Sequence, residues 1–264
     1  MTGSALEVAV IQLAVADGDP ATNVERAAGR IRAAPGAGLY LLPELWTTGY
    51  AWAGWAGAAA RDTPRALRAL ADLARAAGAF IGGSMIARAD DGALVNRFWL
   101  LGPDGAAAAT YDKAHLFPPM AEPEHLKAGT RRVRSAIAGF RAGLSLCYDL
   151  RFPEMYRLDA LEGADLFLIP AEWPAERITT MRLLARARAA ENQAYAVLCN
   201  RAGPAEDGTV FGGGSMVVGP DGTVLADAGA AEETIRAALD PAAVAAVRAR
   251  LPVFDQRAAG VDWL

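Results

Sequence analysis

Residues 143–154 read Gly-Leu-Ser-Leu-Cys-Tyr-Asp-Leu-Arg-Phe-Pro-Glu, and the rest of the chain can be interpreted around them. The small and aliphatic residues before Cys147 predict a buried strand over residues 143–147. Pro153 is favoured in the first turn of a helix, so a helix is predicted over residues 153–162. Cys147 is therefore expected at the carboxyl end of a strand, where α/β proteins often place their chemistry. An ordinary buried cysteine is the alternative that this stretch alone leaves open.

The composition is that of a globular chain with a substantial apolar core. Of its 264 residues, 53% are hydrophobic and 21% are charged, and the net charge is -4. A nucleic-acid partner is not expected, because such a partner calls for a basic patch. No apolar run approaches the roughly 20 residues of a membrane span, so no membrane partner is expected either. The two cysteines form no disulfide framework and no signal peptide is recognisable, which predicts a cytoplasmic location.

Strands and helices alternate along the first part of the chain. Residues 7–15 form an apolar run that predicts a strand, and a helix over residues 20–31 and a second strand over residues 39–42 follow. This order is typical of a parallel crossover, so the predicted fold class is α/β. No Pro/Gly-rich linker interrupts the chain, and a single domain over residues 1–264 is expected.

Two similar hairpins are predicted, one in each half of the chain. Gly-Pro-Asp-Gly turns at residues 102–105 and 219–222 each join two apolar segments, which suggests pseudo-symmetry between the halves. The other predicted elements are helices at residues 64–77, 175–192 and 241–250 and strands at residues 80–87, 135–140, 165–169 and 195–200.

Two charged residues that follow predicted strands are candidates for catalysis. Glu44 comes directly after the second strand, among the aromatic residues Trp46, Tyr50 and Trp52. Partial burial there would raise the pKa of its carboxyl and make it a better base, although a surface glutamate that caps a turn is the alternative. Lys113 follows the strand after the first hairpin turn. It could stabilise an oxyanion and help to hold a thiolate, although a lysine alone is more often a solvated residue.

Cys147, Glu44 and Lys113 thus each lie at the predicted carboxyl end of a different strand. In a parallel arrangement these ends converge at one edge. The glutamate can take the thiol proton, the thiolate can attack an electron-poor carbon, and the lysine can stabilise the resulting charge. The combination predicts covalent catalysis by an activated cysteine.

Several motifs, in order, resemble the carbon–nitrogen hydrolase (nitrilase) superfamily over nearly the whole chain. These motifs are residues 43–50 with Glu44, 111–117 with Lys113, 147–154 with Cys147, 185–193 and 200–203. The resemblance implies a four-layer α-β-β-α sandwich, with two sheets face to face and helices outside. It also implies that Glu44 is the general base, Lys113 the oxyanion stabiliser and Cys147 the nucleophile.

The resemblance implies further residues in the site. The backbone N–H of Tyr148 would be a second oxyanion donor. Another active-site glutamate is expected before Gly129, and its spacing favours Glu122 over Glu124. The residues expected to contact substrate in a partly apolar pocket are Tyr50, Phe117, Tyr148 and Trp173.

Arg151 and Glu154 place opposite charges within the nucleophile motif. An ion pair between them is expected to orient the turn. Contact between Arg151 and the substrate is the alternative.

The implied reaction is hydrolysis of a small linear amide to an acid and ammonia through a thioester. The nucleophile motif and residues 171–174 most resemble the ω-amidase-like branch, which acts on monoamides of dicarboxylic acids such as 2-oxoglutaramate. A nitrilase, an N-carbamoyl amino acid hydrolase and a non-catalytic binding or scaffold protein are the alternatives. No cofactor is expected, and the spacing of His115 and His125 matches no zinc signature. Relatives commonly form dimers, so a homodimer or a higher homo-oligomer is expected.

Overall fold

The structure, a computed structural model, describes residues 5–258. Its helices are α1 (Pro20–Ala33), α2 (Thr63–Ala77), α3 (Glu122–His125), α4 (Pro153–Leu161), α5 (Ile178–Asn192) and α6 (Pro241–Arg250). Shorter helical turns lie at Trp52–Gly54, Trp55–Gly57, Ala58–Asp62, Pro118–Met120, Cys147–Arg151 and Ala175–Arg177. Within residues 5–258, the helices are all too short or too polar to cross a membrane.

Most of the strands belong to two six-stranded sheets. In spatial order, the first sheet contains β14 (Glu233–Leu239), β1 (Leu6–Gln12), β2 (Leu39–Leu41), β3 (Phe80–Arg88), β4 (Leu94–Leu101) and β5 (Ala107–Asp112). The second contains β13 (Val224–Asp227), β12 (Met216–Val218), β9 (Tyr195–Asn200), β8 (Leu166–Ala171), β7 (Phe140–Leu144) and β6 (Arg134–Ile137). A separate pair consists of β10 (Ala202–Pro204) and β11 (Val210–Gly212).

The two large sheets share one plan. Each has three adjacent parallel strands, β1 to β3 in the first sheet and β7 to β9 in the second, flanked by antiparallel strands. The predicted hairpins are β4–β5 and β12–β13, and their turns are alike. The Gly102 N–H donates to the Ala106 carbonyl and the Gly219 N–H donates to the Thr223 carbonyl, both at 2.8 Å. The repeated turn therefore reflects a repeated arrangement of strands.

Side chains of alternate residues on β1 enter two different apolar cores. In β1, Val8 and Val10 lie in the core that contains residues of both sheets, whereas Ala9 and Ile11 pack with α1 and α2. Strands that are buried on both faces need apolar residues at almost every position, which explains their continuous apolar sequences. On the outer face of the second sheet, the Phe167 ring meets the Tyr156 ring of α4 edge to face. The layers are therefore α-β-β-α, as predicted.

The structure differs from the prediction in several elements. The strand predicted over residues 135–140 is wrong, because β6 ends at Ile137 and the chain turns there into β7, which begins at Phe140. The short strands β10 and β11 were not predicted. The strand before the cysteine is shorter than predicted: β7 ends at Leu144, and Cys147 lies in the turn beyond it. The edge strand β14 was missed, because its polar and apolar residues mix and it is stabilised by pairing with β1, in which Leu6 lies opposite Leu239. The single domain over residues 1–264 stays a prediction, since residues 1–4 and 259–264 lie outside the described part.

We expect the core between the sheets to dominate the stability of the fold. Leu100 of β4 is fully buried there, whereas Leu225 of β13 is 45% exposed. Leu100→Ala should lower the free energy of unfolding by about 2–5 kcal/mol, the usual effect of a cavity left by a buried leucine. Leu225→Ala is the matched control and should change it by roughly 0.5 kcal/mol at most. Urea unfolding measures both, and equal losses would contradict the assignment of Leu100 to the core.

Candidate active site

Cys147 lies at a sharp change in the direction of the backbone. It begins the helical turn Cys147–Arg151, and its φ of +46° is in the left-handed region that residues other than glycine rarely adopt. The residue is buried, with 4% of its surface exposed. A conformation of this kind persists only where the surroundings impose it, and such positions cluster at functional sites.

Asp149 holds the cysteine turn against the segment that follows β5. Its Oδ2 accepts hydrogen bonds from the Leu146 N–H at 2.8 Å and the Tyr111 hydroxyl at 2.7 Å. Its Oδ1 accepts one from the His115 N–H at 3.0 Å and lies 2.7 Å from His115 Nδ1. Asp149 is fully buried, so these bonds replace its lost hydration. One carboxylate thus connects a turn of the second sheet to a segment of the first.

Glu44 is completely buried in the turn that follows β2. Its Oε1 accepts hydrogen bonds from Lys113 Nζ and Asn96 Nδ2, both at 2.8 Å. Its Oε2 is also buried but accepts no hydrogen bond from residues 5–258. Glu44 and the Cys147 thiol lie close enough for each to influence the pKa of the other. One oxygen of the carboxylate therefore remains free to accept a proton.

The Lys113 ammonium lies between two carboxylates. Its Nζ is 2.8 Å from Glu44 Oε1 and 2.8 Å from Glu122 Oε1, and all three side chains are fully buried. An ammonium has three N–H donors, so one remains after these two bonds. The Lys113 backbone N–H donates to the Asn96 carbonyl at 2.9 Å, which fixes the residue just beyond the end of β5.

The two candidate glutamates that precede Gly129, Glu122 and Glu124, lie in different environments. Glu122 is fully buried at the start of α3, and its Oε1 also accepts the Tyr50 hydroxyl at 3.0 Å. Its Oε2 accepts the Phe117 N–H at 2.6 Å. Glu124 is exposed. Glu122 is therefore the glutamate beside Lys113, in agreement with the spacing.

Burial and neighbouring charges shift the pKa values of Cys147, Glu44 and Lys113. Burial, followed by the charge of Glu44, raises the pKa of Cys147 well above its ordinary value, and Lys113 only opposes this shift. Burial likewise raises the pKa of Glu44, against the effect of Lys113. Burial acts to lower the pKa of Lys113, but Glu122 and Glu44 outweigh it and raise that pKa well above its ordinary value. The charge of Lys113 thus favours the thiolate, as expected, but burial and the charge of Glu44 outweigh it.

The three central residues come from both sheets. Glu44 and Lys113 follow strands of the first sheet, whereas Cys147 follows β7 of the second. The strand ends correctly predict that these residues lie together, but the prediction places them at one edge of one parallel arrangement. The structure instead assembles the cluster where the ends of two facing sheets meet.

A narrow pocket opens beside Cys147. Its walls are formed by Phe117, Cys147, Tyr148, Arg151, Glu172, Trp173, Pro174 and Arg177. Three of the four residues expected to contact substrate are among them. Tyr50, the fourth, is not in this wall, because its hydroxyl turns to Glu122. Trp52 also lies elsewhere and stacks on His125.

Arg151 and Glu154 do not form the expected ion pair. The Arg151 guanidinium instead lies over the indole ring of Trp173, with Cζ 4.9 Å from the ring centre. Arg151 therefore faces the pocket, which was the alternative interpretation of this residue.

Residues 7–249 match the carbon–nitrogen hydrolase family. The chain belongs to this family. It is 34% identical over 249 residues to the 2-oxoglutaramate amidase of Bacillus subtilis (strain 168), an alignment that covers 94% of this chain and 96% of that protein. A solved structure that resembles this chain is a CN-hydrolase superfamily protein from Xanthomonas campestris, which carries an arsenic adduct in its active site. The TM-score is 0.90 at 30% identity, and the match covers 98% of this chain and 99% of that chain.

A second solved structure bears on the cysteine. It is a mutant of the amidase from Nesterenkonia sp. AN1, and it shows the Michael addition of acrylamide at the active-site cysteine. Its TM-score is 0.83 at 29% identity, and the match covers 94% of this chain and 99% of that chain. Together these likenesses identify our protein as a hydrolase of carbon–nitrogen bonds with a nitrilase-superfamily fold.

The hydrolase has a second buried charge cluster that we did not predict. Glu172 follows β8 in the pocket wall, and its Oε2 lies 3.2 Å from Arg201 Nη1. The same nitrogen lies 2.8 Å from Asp17 Oδ1. A carboxylate directly after an apolar strand was the signal at Glu44, and the same signal is present at Glu172. Its partners lie far away in sequence, so only the fold reveals the cluster.

We expect Lys113 to be essential for stability as well as for the site. Lys113→Met leaves Glu44 and Glu122 buried without a counter-ion, which should cost about 3–5 kcal/mol of unfolding free energy near neutral pH. The loss should shrink as the pH falls, because protonation of either carboxyl removes an uncompensated charge. Lys127→Met is the matched control, since Lys127 forms an exposed ion pair with Asp91 and such pairs contribute little. Equal unfolding curves for the two variants would contradict the buried cluster.

Glu172 should make the stability of the hydrolase depend on pH. Burial raises the pKa of Glu172 from 4.5 to about 8, against the effect of Arg201. The folded protein thus keeps a proton that the unfolded chain releases, so the unfolding free energy should fall as the pH rises from 4.5 to about 8. Glu172→Gln removes this titration. The unfolding free energy of the variant, compared with that of the unmodified protein, should therefore be higher at a pH above this window than at a pH within it. Thermal unfolding across the range measures the difference. The exposed Glu176→Gln should show no such trend.

Proposed function

We propose that the hydrolase cleaves the terminal amide of a small dicarboxylic acid monoamide, with a thioester on Cys147 as intermediate. One observation carries the proposal. The unoccupied oxygen of Glu44, the remaining donor of Lys113 and the Cys147 thiol belong to one buried cluster at the wall of a small pocket. These are a base, an oxyanion donor and a nucleophile.

In the first step, Glu44 takes the proton of the Cys147 thiol through its free Oε2. The sulfur then forms a bond to the amide carbon, and the carbonyl π electrons move to the oxygen. The third N–H of Lys113 and the backbone N–H of Tyr148 stabilise this oxyanion. A base is required because burial and the charge of Glu44 raise the pKa of Cys147 well above its ordinary value. Lys113 acts on the developing charge of the substrate.

In the second step, the carbon–nitrogen bond breaks. The proton on Glu44 passes to the departing nitrogen, ammonia leaves, and the acyl group remains on Cys147 as a thioester. A water molecule then gives a proton to Glu44 and attacks the thioester carbon. The carbon–sulfur bond then breaks, the acid leaves, and Glu44 returns its proton to the Cys147 sulfur, which restores the starting state.

Glu122 acts as a positioning residue in this scheme. Its Oε1 holds Lys113 from the side opposite Glu44, and its own place is set by the Tyr50 hydroxyl and the Phe117 N–H. Substitution of Glu122 would therefore lower the rate through Lys113. We assign substrate contact to Phe117, Tyr148 and Trp173, which line the pocket with Cys147.

Two observations support the substrate class. The Bacillus subtilis relative is a 2-oxoglutaramate amidase, and its likeness extends over 94% of this chain. The aromatic rings of Phe117, Tyr148 and Trp173 line the pocket beside Cys147, which suits the short carbon chain of such a substrate. A cytoplasmic location and a homodimer stay predictions.

The proposal is tested by ammonia release from ω-amides, monocarboxylic amides, N-carbamoyl amino acids and nitriles. Cys147→Ala should lower turnover at least about 10,000-fold, because loss of the nucleophile removes most of the catalytic power of such an enzyme. Cys199→Ala is the matched control and should remain active, since Cys199 is a core residue of β9 that donates to the Ile11 carbonyl. Mass spectrometry of a rapidly quenched reaction should find the acyl group on Cys147.

Each contrary outcome has a distinct meaning. Full activity in Cys147→Ala would disprove the mechanism. A preference for nitriles or N-carbamoyl amino acids would assign the same nucleophile to another reaction. Release of one equivalent of ammonia and no more, or of none across the panel, would favour a binding protein that retains the fold.

A further inference from the structure

We propose that the Glu172 carboxyl is a further catalytic residue of the hydrolase, which holds the water molecule that cleaves the thioester on Cys147. In this assignment the water gives its proton to Glu44 while it accepts a hydrogen bond from Glu172 Oε1. The proposal deepens the proposed function and rests on its thioester step. The mechanism described above leaves Glu172 unused, although the residue lies in the wall of the pocket that contains Cys147.

The two oxygens of the Glu172 carboxyl have different surroundings. Oε2 accepts a hydrogen bond from Arg201 Nη1 at 3.2 Å, whereas Oε1 is buried and makes no hydrogen bond within residues 5–258. The whole side chain is fully buried. Buried polar atoms of native proteins nearly always have a partner, either a protein group or an ordered water. In the wall of this pocket, the partner of Oε1 is expected to be a molecule that enters during the reaction.

Glu172 lies directly beside the reacting sulfur. A hydrogen bond from its backbone acts to lower the pKa of Cys147. The segment is fixed by the next residue, because the Trp173 N–H donates to Asn200 Oδ1 at 2.7 Å. Glu44 is near as well, since its charge contributes to the raised pKa of Glu172. Two buried carboxyls, each with one oxygen that has no hydrogen-bond partner in the described part of the chain, therefore lie close to the same sulfur.

The two carboxyls are suited to complementary roles towards one water molecule. Burial raises the pKa of Glu172 to about 8, so the group keeps its proton at neutral pH. Because Arg201 donates to Oε2, the proton is placed on Oε1, where it can be donated. One lone pair of the water accepts this O–H, the other attacks the thioester carbon, and one water proton passes to Glu44. Glu172 keeps its own proton throughout, so the balance of the later steps is unchanged.

A pH dependence follows from the surroundings of Glu172. The charged and titratable groups that face it come from several elements: Arg201, Asp17, Glu44, Tyr50, Cys147, Arg151 and Arg177. Arg201 opposes the rise in the pKa of Glu172, and the two other carboxylates add to it. The pKa values of Cys147 and Tyr50 are both raised well above their ordinary values. Ionisation of Glu172 near pH 8 would remove the O–H donor, so hydrolysis of the thioester should slow above this pH.

The test separates formation of the acyl-enzyme from its hydrolysis. p-Nitrophenyl acetate acylates an active cysteine with a burst of coloured p-nitrophenolate, and the slower phase reports hydrolysis of the thioester. Glu172→Met keeps the length of the side chain but has no O–H. It should slow thioester hydrolysis roughly 10- to 100-fold, as expected for loss of a buried hydrogen bond, and change acylation by at most about threefold. Mass spectrometry should then find acylated Cys147 during turnover of succinamate as well.

Glu172→Gln supplies the matched rescue, and it decides alone if Glu172→Met does not fold. Its carbonyl oxygen can accept from Arg201, which turns its NH2 group to the pocket as a donor that has no proton to lose. It should recover most of the loss seen in Glu172→Met. The slowing above about pH 8 in the unmodified protein should be absent from this variant. Glu176→Gln, an exposed change beside Arg177, is the control and should keep the slowing.

Equal losses of acylation and of thioester hydrolysis in Glu172→Met would overturn the proposal, because they would indicate a structural role through Arg201. Slowing above pH 8 that persists in Glu172→Gln would assign the titration to another group and reject it too. If p-nitrophenyl acetate acylates Cys147 but no ω-amide is cleaved, the substrate class fails, and the two phases still decide the role of Glu172. If neither reagent acylates Cys147, no thioester forms and both proposals are rejected.

Discussion

The site depends on one buried ammonium held between two carboxylates. Lys113 is fully buried, and an isolated charge in that position would be very unfavourable. Glu44 and Glu122 compensate it, and each of them would be equally unfavourable without it. The cluster is therefore stable only as a unit. Within the described residues, the cluster leaves one N–H donor of Lys113 and one carboxylate oxygen of Glu44 without a hydrogen-bond partner. The proposed chemistry requires these two groups.

The position of the cysteine follows from a second shared carboxylate. Asp149 binds the Leu146 N–H immediately before Cys147, and it also binds Tyr111 and His115 on either side of Lys113. The nucleophile and the lysine are thus positioned by the same side chain, although they belong to different sheets. The unusual φ of Cys147 is maintained by this arrangement and by the strand before it. The geometry of the site is therefore a property of the contact between the sheets.

Much of the fold and of the site could be predicted, because buried strands require apolar residues and these form recognisable runs in the sequence. Inner strands such as β1 and β9 need apolar residues on both faces, so they were recognised as continuous apolar runs. Glu44 and Lys113 were noticeable as charges directly after such runs, and the family motifs supplied their roles. The edge strand β14 was missed because its position depends on pairing with β1 rather than on its own composition. Arg177, Glu172 and Asp149 were missed as site residues for a similar reason: their partners are distant in sequence, and their environment exists only in the folded chain.

The pairing of β1 with β14 has a consequence for how the protein is made. β1 leaves the ribosome long before its partner Glu233–Leu239. Until then, one hydrogen-bonding edge of β1 has no native neighbour, for on the order of tens of seconds at common rates of translation. An unpaired apolar strand can associate with other chains. Association with other chains through this edge is therefore most favoured during synthesis, before β14 pairs with β1.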